Sequence, residues 1–274
     1  LAGGSLTLGG AAPTINLSAN ATIGSSLVGS AGYIKTGSGT LTLNGNNNAL
    51  TGALAINAGA VRVGAASGNQ VFGGNVAVVM ANVAGATLDL GNTTQDIGSL
   101  SGGGALGGNV ILGGASSNAR IGGDNTSTTY GGVISGAGFV VKLGTGTLTL
   151  TGQNTNAATT FVSGGTLRAG VSNAISAVAG LNINSASATF DANGFDQTAA
   201  WLSGSGSLML GSAIFTTNQT INTTFSGVIS GTGSLVKNGT FTLILSGTNT
   251  FSGNILVNTG TLQADYPASD PYIT

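Results

Sequence analysis

Short stretches in which apolar and polar residues alternate recur along the whole chain. Each opens with Gly followed by Thr or Ala, and apolar side chains then occupy every second position. The clearest examples are residues 39–43, 59–63, 146–150, 165–169 and 260–264. A period of two residues over four or five positions, bounded by Gly and Asn, is typical of short, half-buried β-strands separated by turns. The pattern therefore predicts an all-β chain.

These stretches belong to a longer repeat of about 100 residues. The segments that align best are residues 34–64, 141–170 and 236–265. Their lysines, Lys35, Lys142 and Lys237, are 107 and 95 residues apart. The alignment predicts long repeats over approximately 1–100, 101–203 and 204–265, and inside each of the first two aligned segments the alternating stretches start 20 or 19 residues apart.

A short strand that returns about every 20 residues predicts a β-solenoid, in which each coil of chain stacks on the coil before it. At roughly 20 to 25 residues per coil the chain makes about a dozen coils. We therefore predict a single parallel β-helix over residues 1–265. Residues 266–274, which include Pro267 and Pro271, break the pattern and are expected to form a non-repeat tail. A propeller or a sandwich fits less well, because blades of about 40 residues with an aromatic signature are not seen and sandwich strands lack this internal repetition.

The composition agrees with this fold and excludes most kinds of catalytic and metal-binding site. Gly accounts for 50 of the 274 residues, charged residues for 5%, and Glu is absent, so helices are disfavoured. His and Cys are also absent, which excludes disulfides, thiolate nucleophiles and the usual zinc ligands. A net charge of −1 gives no excess of basic residues for binding nucleic acid. No apolar run reaches the roughly 18 residues of a membrane-spanning helix. We therefore expect no catalytic residue, cofactor, metal site or nucleic-acid partner, and no membrane insertion by this segment.

Aspartate residues are the remaining source of acid–base chemistry. Asp89 and Asp96 align with Asp191 and Asp196 in the next long repeat, and a pair of carboxylates can act on a glycosidic bond. An Asp beside Asn and Gly is more simply a turn former that accepts hydrogen bonds from nearby backbone amides. A polysaccharide-active enzyme is therefore kept as a remote alternative only.

The repeated polar residues are interpreted as structural. We expect Lys35, Lys142 and Lys237 to lie in water at turns; a ladder of these cations that binds a carbohydrate or a polyanion is the alternative. The repeated asparagines are expected to be turn residues. They are Asn47, Asn154 and Asn249.

The aligned segments resemble the autotransporter-associated β-strand repeat, which occurs in passenger regions of type V secreted surface proteins of bacteria. The repeat-defining residues are Lys35, Gly39, Leu41 and Asn47 in the first copy, Lys142, Gly146, Leu148 and Asn154 in the second, and Lys237, Leu243, Asn249 and Phe251 in the third. The resemblance implies a right-handed β-helical rod outside, or on the outer surface of, a diderm bacterium. A right-handed twist is also the preference of strands made of L-residues.

Two functions remain open for such a rod. The first is a non-enzymatic extracellular scaffold or adhesin whose polar faces bind cell-surface glycans or matrix and act in adhesion or aggregation. The second is a filament subunit that stacks end to end on its own copies through the unpaired strand edges of the solenoid. Trp201 and Phe251 are expected in the core or at an end cap, with an exposed sugar-stacking role as the alternative.

Overall fold

The computed structural model describes residues 4–45, 50–64, 71–72 and 75–265. Within these residues every regular element is a β-strand of three or four residues, and no helix is present. In chain order the strands begin with β1 Ser5–Thr7, β2 Thr14–Asn16, β3 Ala21–Ile23, β4 Ser26–Val28, β5 Tyr33–Thr36, β6 Thr40–Leu43, β7 Leu54–Ile56 and β8 Ala60–Val63. They continue with β9 Val78–Met80, β10 Thr87–Asp89, β11 Thr94–Ile97, β12 Leu100–Gly102, β13 Asn109–Leu112, β14 Asn118–Ile121, β15 Thr128–Tyr130 and β16 Ile134–Gly136. Next come β17 Phe139–Lys142, β18 Thr147–Leu150, β19 Thr160–Val162, β20 Thr166–Ala169, β21 Leu181–Ile183, β22 Thr189–Asp191, β23 Gln197–Ala199 and β24 Leu202–Gly204. The last are β25 Ser207–Met209, β26 Ile214–Thr217, β27 Thr223–Phe225, β28 Val228–Ser230, β29 Ser234–Lys237, β30 Thr242–Leu245, β31 Ile255–Val257 and β32 Thr261–Ala264.

The strands form three long faces in which neighbouring strands are parallel. Face I is the eleven-stranded sheet that runs from β2 to β28. Face II comprises the six-stranded sheet from β3 to β16 and, further along, the four-stranded sheet from β23 to β31. Face III comprises the pair β1 and β4 and the nine-stranded sheet from β11 to β32. The chain passes from face to face and pairs each strand with the strand one coil away, which confirms the predicted β-solenoid of about twelve coils.

The core lies between the three faces and is built by alternation. In β6, Leu41 and Leu43 are buried and the two threonines between and before them point outward. Leu41 lies in register with Val61 of the next coil, so apolar side chains stack along the rod. Leu148 and Leu243 occupy the same buried position in the other two copies. Each such side chain contributes roughly 1.5–3 kcal/mol by leaving water.

Successive copies of the long repeat lie on different faces. Lys35 lies in β5 on face I, Lys142 in β17 on face III and Lys237 in β29 on face II. From each lysine to the next, the chain makes four full coils and then crosses two further faces. The long repeat is therefore not a whole number of coils, and each copy is rotated about the rod axis by about two-thirds of a turn.

Glycine permits close approach of two coils before the strands β6 and β18. A Cβ at Gly39 would overlap the backbone of Ala19, and a Cβ at Gly146 would crowd the carbonyl oxygen of Asn125. The third copy has Phe241 at this position, with its side chain 44% exposed. The core leucine still follows the lysine by six positions in all three copies, so the register of the strands is unchanged.

Several expectations stay predictions. They include the handedness of the solenoid and the boundaries of the long repeats. The expected turn role of Asn47 and the expected non-repeat tail at 266–274 concern residues outside the described part of the chain.

Candidate functional site

Three lysines are buried in the solenoid, and the prediction that they lie in water at turns was wrong. Lys35, Lys142 and Lys237 are each 0–1% exposed. Each points inward because it has the same orientation as the apolar residue two positions earlier in its strand, as Lys35 has with Tyr33. A ladder of cations along one side of the rod is also ruled out, since the three lysines lie on different faces.

Each buried ammonium group donates three hydrogen bonds to backbone carbonyls at a corner of the solenoid. Nζ of Lys35 donates to the carbonyl oxygens of Thr36 and Gly37, both at 2.9 Å. Its third bond reaches the carbonyl oxygen of Ala58 in the next coil, at 3.1 Å. The lysines of the other two copies make the same three bonds, to the carbonyls one, two and 22 positions further along. An ammonium group has three N–H donors, so every donor is used and two coils are tied together.

Glycine shapes the corner around each ammonium group. Gly37, Gly144 and Gly239 follow their lysines by two positions and have φ angles of 74°, 66° and 78°. This left-handed conformation, which glycine adopts without a Cβ clash, brings two successive carbonyl oxygens to the same Nζ. The Lys-x-Gly spacing of the repeat is therefore the sequence signature of this corner.

The ammonium groups are held by carbonyl dipoles alone. Burial lowers the pKa of all three lysines below 10.5, and that of Lys142 to about 8. The ion pairs in the described part of the chain all involve arginine, and none involves a lysine. Three carbonyl acceptors replace the water that the ammonium group loses. The lysine corners are thus structural, and they offer no donor to a ligand.

Amide side chains tie further coils together. Asn154 accepts a hydrogen bond from the backbone N–H of Ile134 at 2.7 Å and donates to the carbonyl oxygen of Ala174 at 2.7 Å. Asn249 accepts from the N–H of Ile229 at 2.9 Å. These asparagines therefore bridge coils that are 20 residues apart, which goes beyond the local turn role predicted from the sequence.

Among the described residues, three buried glutamines of the same kind were missed by the sequence analysis. Gln95, Gln197 and Gln219 are 0–1% exposed. Nε2 of Gln197 donates to the carbonyl oxygen of Val171, 26 residues earlier, at 2.9 Å. Gln95 and Gln197 are 102 residues apart, which is also the separation of Asp89 and Asp191, so the alignment of the long repeat could have identified these two.

Aspartates and arginines form in-register ion pairs on the outside of the solenoid. Asp89 contacts Arg62 at 3.3 Å, and Asp191 contacts Arg168 at 3.1 Å, in each case across adjacent strands. Oδ1 of both aspartates also accepts a hydrogen bond at 2.8 Å from the backbone amide two residues further on. The prediction that these aspartates are turn formers is confirmed.

The carboxylate pairs needed for a glycosidase mechanism are not assembled. Asp89 lies on face II, whereas Asp96 lies on face III and contacts Arg120 at 3.1 Å. Asp196 accepts a hydrogen bond from the N–H of Ile214 at 2.8 Å. Asp196 is also not the counterpart of Asp96. Asp96 directly follows the repeated glutamine, Gln95, whereas Asp196 directly precedes it, as Gln197.

The two singled-out aromatic residues pack against the rod. Trp201 is half-buried and covers Gly180, where a Cβ would overlap the indole ring. Phe251 is half-buried and packs against the core. Both positions agree with the expected packing role.

The residues that the structure describes contain no group of three or more His, Cys, Asp or Glu side chains able to hold a metal ion. Among the same residues there is no helix of the length and apolarity needed to cross a membrane.

Comparison with known proteins identifies the repeat. A family model described as the passenger-associated-transport-repeat matches residues 34–63, 140–169 and 235–264. The chain is also similar to a protein of Brucella suis biovar 1 (strain 1330) named "Adhesin BmaC autotransporter", with 40% identity over 159 residues. The matched stretch is 58% of this chain and 4% of that relative. No solved structure matches the chain at a significant level. The three segments aligned from the sequence are therefore confirmed as copies of a known repeat.

The lysine corner is tested by replacing Lys142 with methionine, which is apolar and of similar length. We expect Lys142→Met to lower the free energy of unfolding by about 2–5 kcal/mol, because three buried carbonyls lose their donor. The matched control is Arg168→Met, which removes a half-exposed ion pair and is expected to change stability by less than about 1 kcal/mol. Urea denaturation followed by circular dichroism measures both, and equal effects of the two substitutions would contradict the assignment.

The lowered pKa of the lysines predicts a pH dependence of stability. Between about pH 8 and pH 10 an unfolded lysine keeps its proton while Lys142 in the folded chain loses it, so the unfolded chain binds more protons and stability rises with pH. Burial raises the pKa of Tyr33 and Tyr130, and that contribution is lost only above about pH 10, where unfolded tyrosine ionises. We expect the urea midpoint to increase from pH 7.5 to pH 9.5, with a smaller increase for Lys142→Met. A midpoint that falls over this interval would refute the expectation.

Proposed function

We propose, from the premise that this chain is an autotransporter passenger region built on passenger-associated-transport repeats, that it forms part of an adhesive rod. Its family implies an extracellular location, on the surface of or secreted from a Gram-negative bacterium. The observation that carries the proposal is the 40% identity over 159 residues to an autotransporter named as an adhesin. Because the chain spans 4% of that relative's length, the function is proposed for this region alone.

The surface of the solenoid supports a binding role. Outward positions carry hydroxyl groups in several strands, as at Thr40 and Thr42 in β6 and at Thr147 and Thr149 in β18. Hydroxyl and amide groups form hydrogen bonds with a partner without the cost of desolvating an ion. The described arginines face aspartates, so the rod selects a partner by hydrogen bonding and shape rather than by charge.

We further propose that the rod acts without catalysis. The sequence has no His, Cys or Glu to serve as nucleophile or general base. Asp89, Asp96 and Asp191 are held in ion pairs with arginines. These observations favour a binding surface over the remote alternative of a polysaccharide-active enzyme.

Adhesion is tested with beads that carry the purified chain at high density. We expect several-fold more of these beads than of albumin-coated beads to attach to cultured epithelial cells or to immobilised extracellular matrix. Beads that carry the heat-unfolded chain show whether attachment requires the solenoid, and Arg168→Met beads serve as a folded variant control. Attachment no greater than that of albumin on every surface would refute the proposal.

End-to-end association of copies through the unpaired strand edges of the solenoid stays a second proposal.

Sedimentation velocity over a concentration series tests this association. We expect the chain to form larger species as its concentration increases. A wild-type chain that stays monomeric at the highest concentration would exclude end-to-end association.

A further inference from the structure

Two depressions that share Gln153 open beside face II, one where the sheet is interrupted and the other at the corner that precedes β13 and β16. One has a volume of about 350 Å³ and the other of about 380 Å³. The first is lined by Asn173, Ile175 and Val178, the second by Leu106, Asn109 and Val133, and Gln153 lines both. Together they form one groove, which we call the face II groove, with Gln153 at its middle.

The first depression lies where two successive coils carry no strand on face II, between β16 and β23. The chain at 151–159 and at 170–180 crosses this face in irregular conformation. Side-chain amides replace the missing ladder: Asn154 bridges to Ile134 and Ala174, and Gln197 accepts a hydrogen bond from the N–H of Ile175 at 3.4 Å. The depression is therefore a built feature of the fold, maintained by buried amides.

Main-chain N–H groups in the lining of the groove already have partners. The N–H of Thr155 donates to the carbonyl oxygen of Ile134 at 2.9 Å, and that of Asn173 donates to the carbonyl oxygen of Asp196 at 2.9 Å. The N–H of Val133 donates to Oδ1 of Asn109 at 3.0 Å. An extended peptide that binds by adding a strand needs free main-chain donors and acceptors at a sheet edge. The groove does not offer them, so it is poorly suited to peptide capture.

Two apolar side chains stand at the groove. Leu106 is 70% exposed and Val178 is 69% exposed, the two highest values among the large hydrophobic residues that the structure describes. Leu106 lies at the tip of a tight loop closed by an antiparallel bridge between Gly104 and Gly107, and its N–H donates to Asn82 at 2.8 Å. These side chains are thus presented to solvent by ordered chain.

The polar lining is neutral. Neither depression is lined by an Asp, Lys or Arg residue. Gln153 is exposed, and its Nε2 donates to the carbonyl oxygen of Ser172 at 3.1 Å, which orients the amide. Thr151, Thr155 and Asn173 add exposed hydroxyl and amide groups. A ligand here is recognised by hydrogen bonds and by contact with aliphatic carbon, without an ionic contribution.

We propose that the face II groove binds a neutral oligosaccharide, and this rests on the adhesive function proposed above. Sugar hydroxyls match the amide and hydroxyl groups of the lining, and the C–H faces of a sugar ring match Leu106 and Val178. The groove crosses four consecutive coils, from the Leu106 loop to Val178, which corresponds to a length of about 15 Å at the spacing of paired strands. Gln153 contacts the middle of the bound chain.

The test uses the labelled chain on an array of neutral host glycans, neutral bacterial polysaccharide fragments, and sulfated and sialylated glycans. We expect binding to neutral glycans that persists at high salt, because no ion pair contributes. Whether a host or a bacterial glycan binds identifies the source of the ligand. Absence of any binding to neutral glycans, or binding only to charged glycans with loss at high salt, would overturn the proposal.

Variants locate the binding on the face II groove. For the glycan bound best, Gln153→Ala and Val178→Ser are each expected to weaken affinity by about tenfold, measured by calorimetry. The matched controls are Gln263→Ala and Val228→Ser, which alter exposed residues on faces III and I and are expected to leave affinity unchanged. Thermal melting confirms that all four variants fold. Equal affinity of the groove variants and their controls would place the binding elsewhere and refute the proposal.

The bead assay separates this inference from the proposed function. If wild-type beads attach to cells while no neutral glycan binds in a Gln153-dependent way, adhesion stands and the groove proposal is wrong. If wild-type beads fail to attach while a neutral glycan binds in a Gln153-dependent way, the groove proposal stands and the adhesive function is wrong.

Discussion

The structure depends on one constraint, which is that each described strand lies in parallel register with a strand one coil away. A side chain in such a column is tolerated only if it packs on, or pairs with, what the neighbouring coil presents about 4.8 Å away. Apolar residues satisfy this by stacking, as Leu41 does on Val61. Charges satisfy it only by special arrangements: Arg62 faces Asp89 across adjacent strands, and Lys35 turns inward to three carbonyl oxygens. A content of charged residues of 5% is the consequence for the sequence as a whole.

The fold was predictable because the sequence shows two periods: apolar residues recur every second position within a strand, and strands recur about once per coil. The environment of the lysines was predicted wrongly because a general rule, that lysine stays in water, was preferred to a local one. In β5 the side chains of Tyr33 and Lys35 point to the same, inward side because they are two positions apart. Gly37, two positions after the lysine, places a carbonyl oxygen where it accepts a hydrogen bond from the buried ammonium group. The face II groove was not predictable, since it results from the absence of strands in two coils rather than from a motif. Its floor is held by Asn154, whose repeat position was recognised but whose bonds to other coils were not.

The mismatch between the long repeat and the coil has a consequence for any surface function. A repeat of four coils and two faces places equivalent residues of successive copies on different sides of the rod. The repeat therefore cannot build a row of identical binding sites along one face. What it does provide is a lysine corner on each of the three faces in turn, which distributes these links between coils around the axis.

Specific recognition in such a rod has to come from departures from the repeat. The strands of a regular coil present short side chains such as threonine from a flat sheet, as β6 does, and a flat sheet gives a partner little shape to fit. Where 151–159 and 170–180 cross face II without forming strands, the surface becomes concave and Val178 is exposed near the amide of Gln153. The loop of Leu106, which precedes β13, lines the depression on which Gln153 also borders. The buried amides of Asn154 and Gln197 meet the hydrogen-bonding needs of that stretch, so the fold loses little stability there. The regular coils thus supply rigidity, and the interrupted ones supply a surface with enough shape to distinguish one ligand from another.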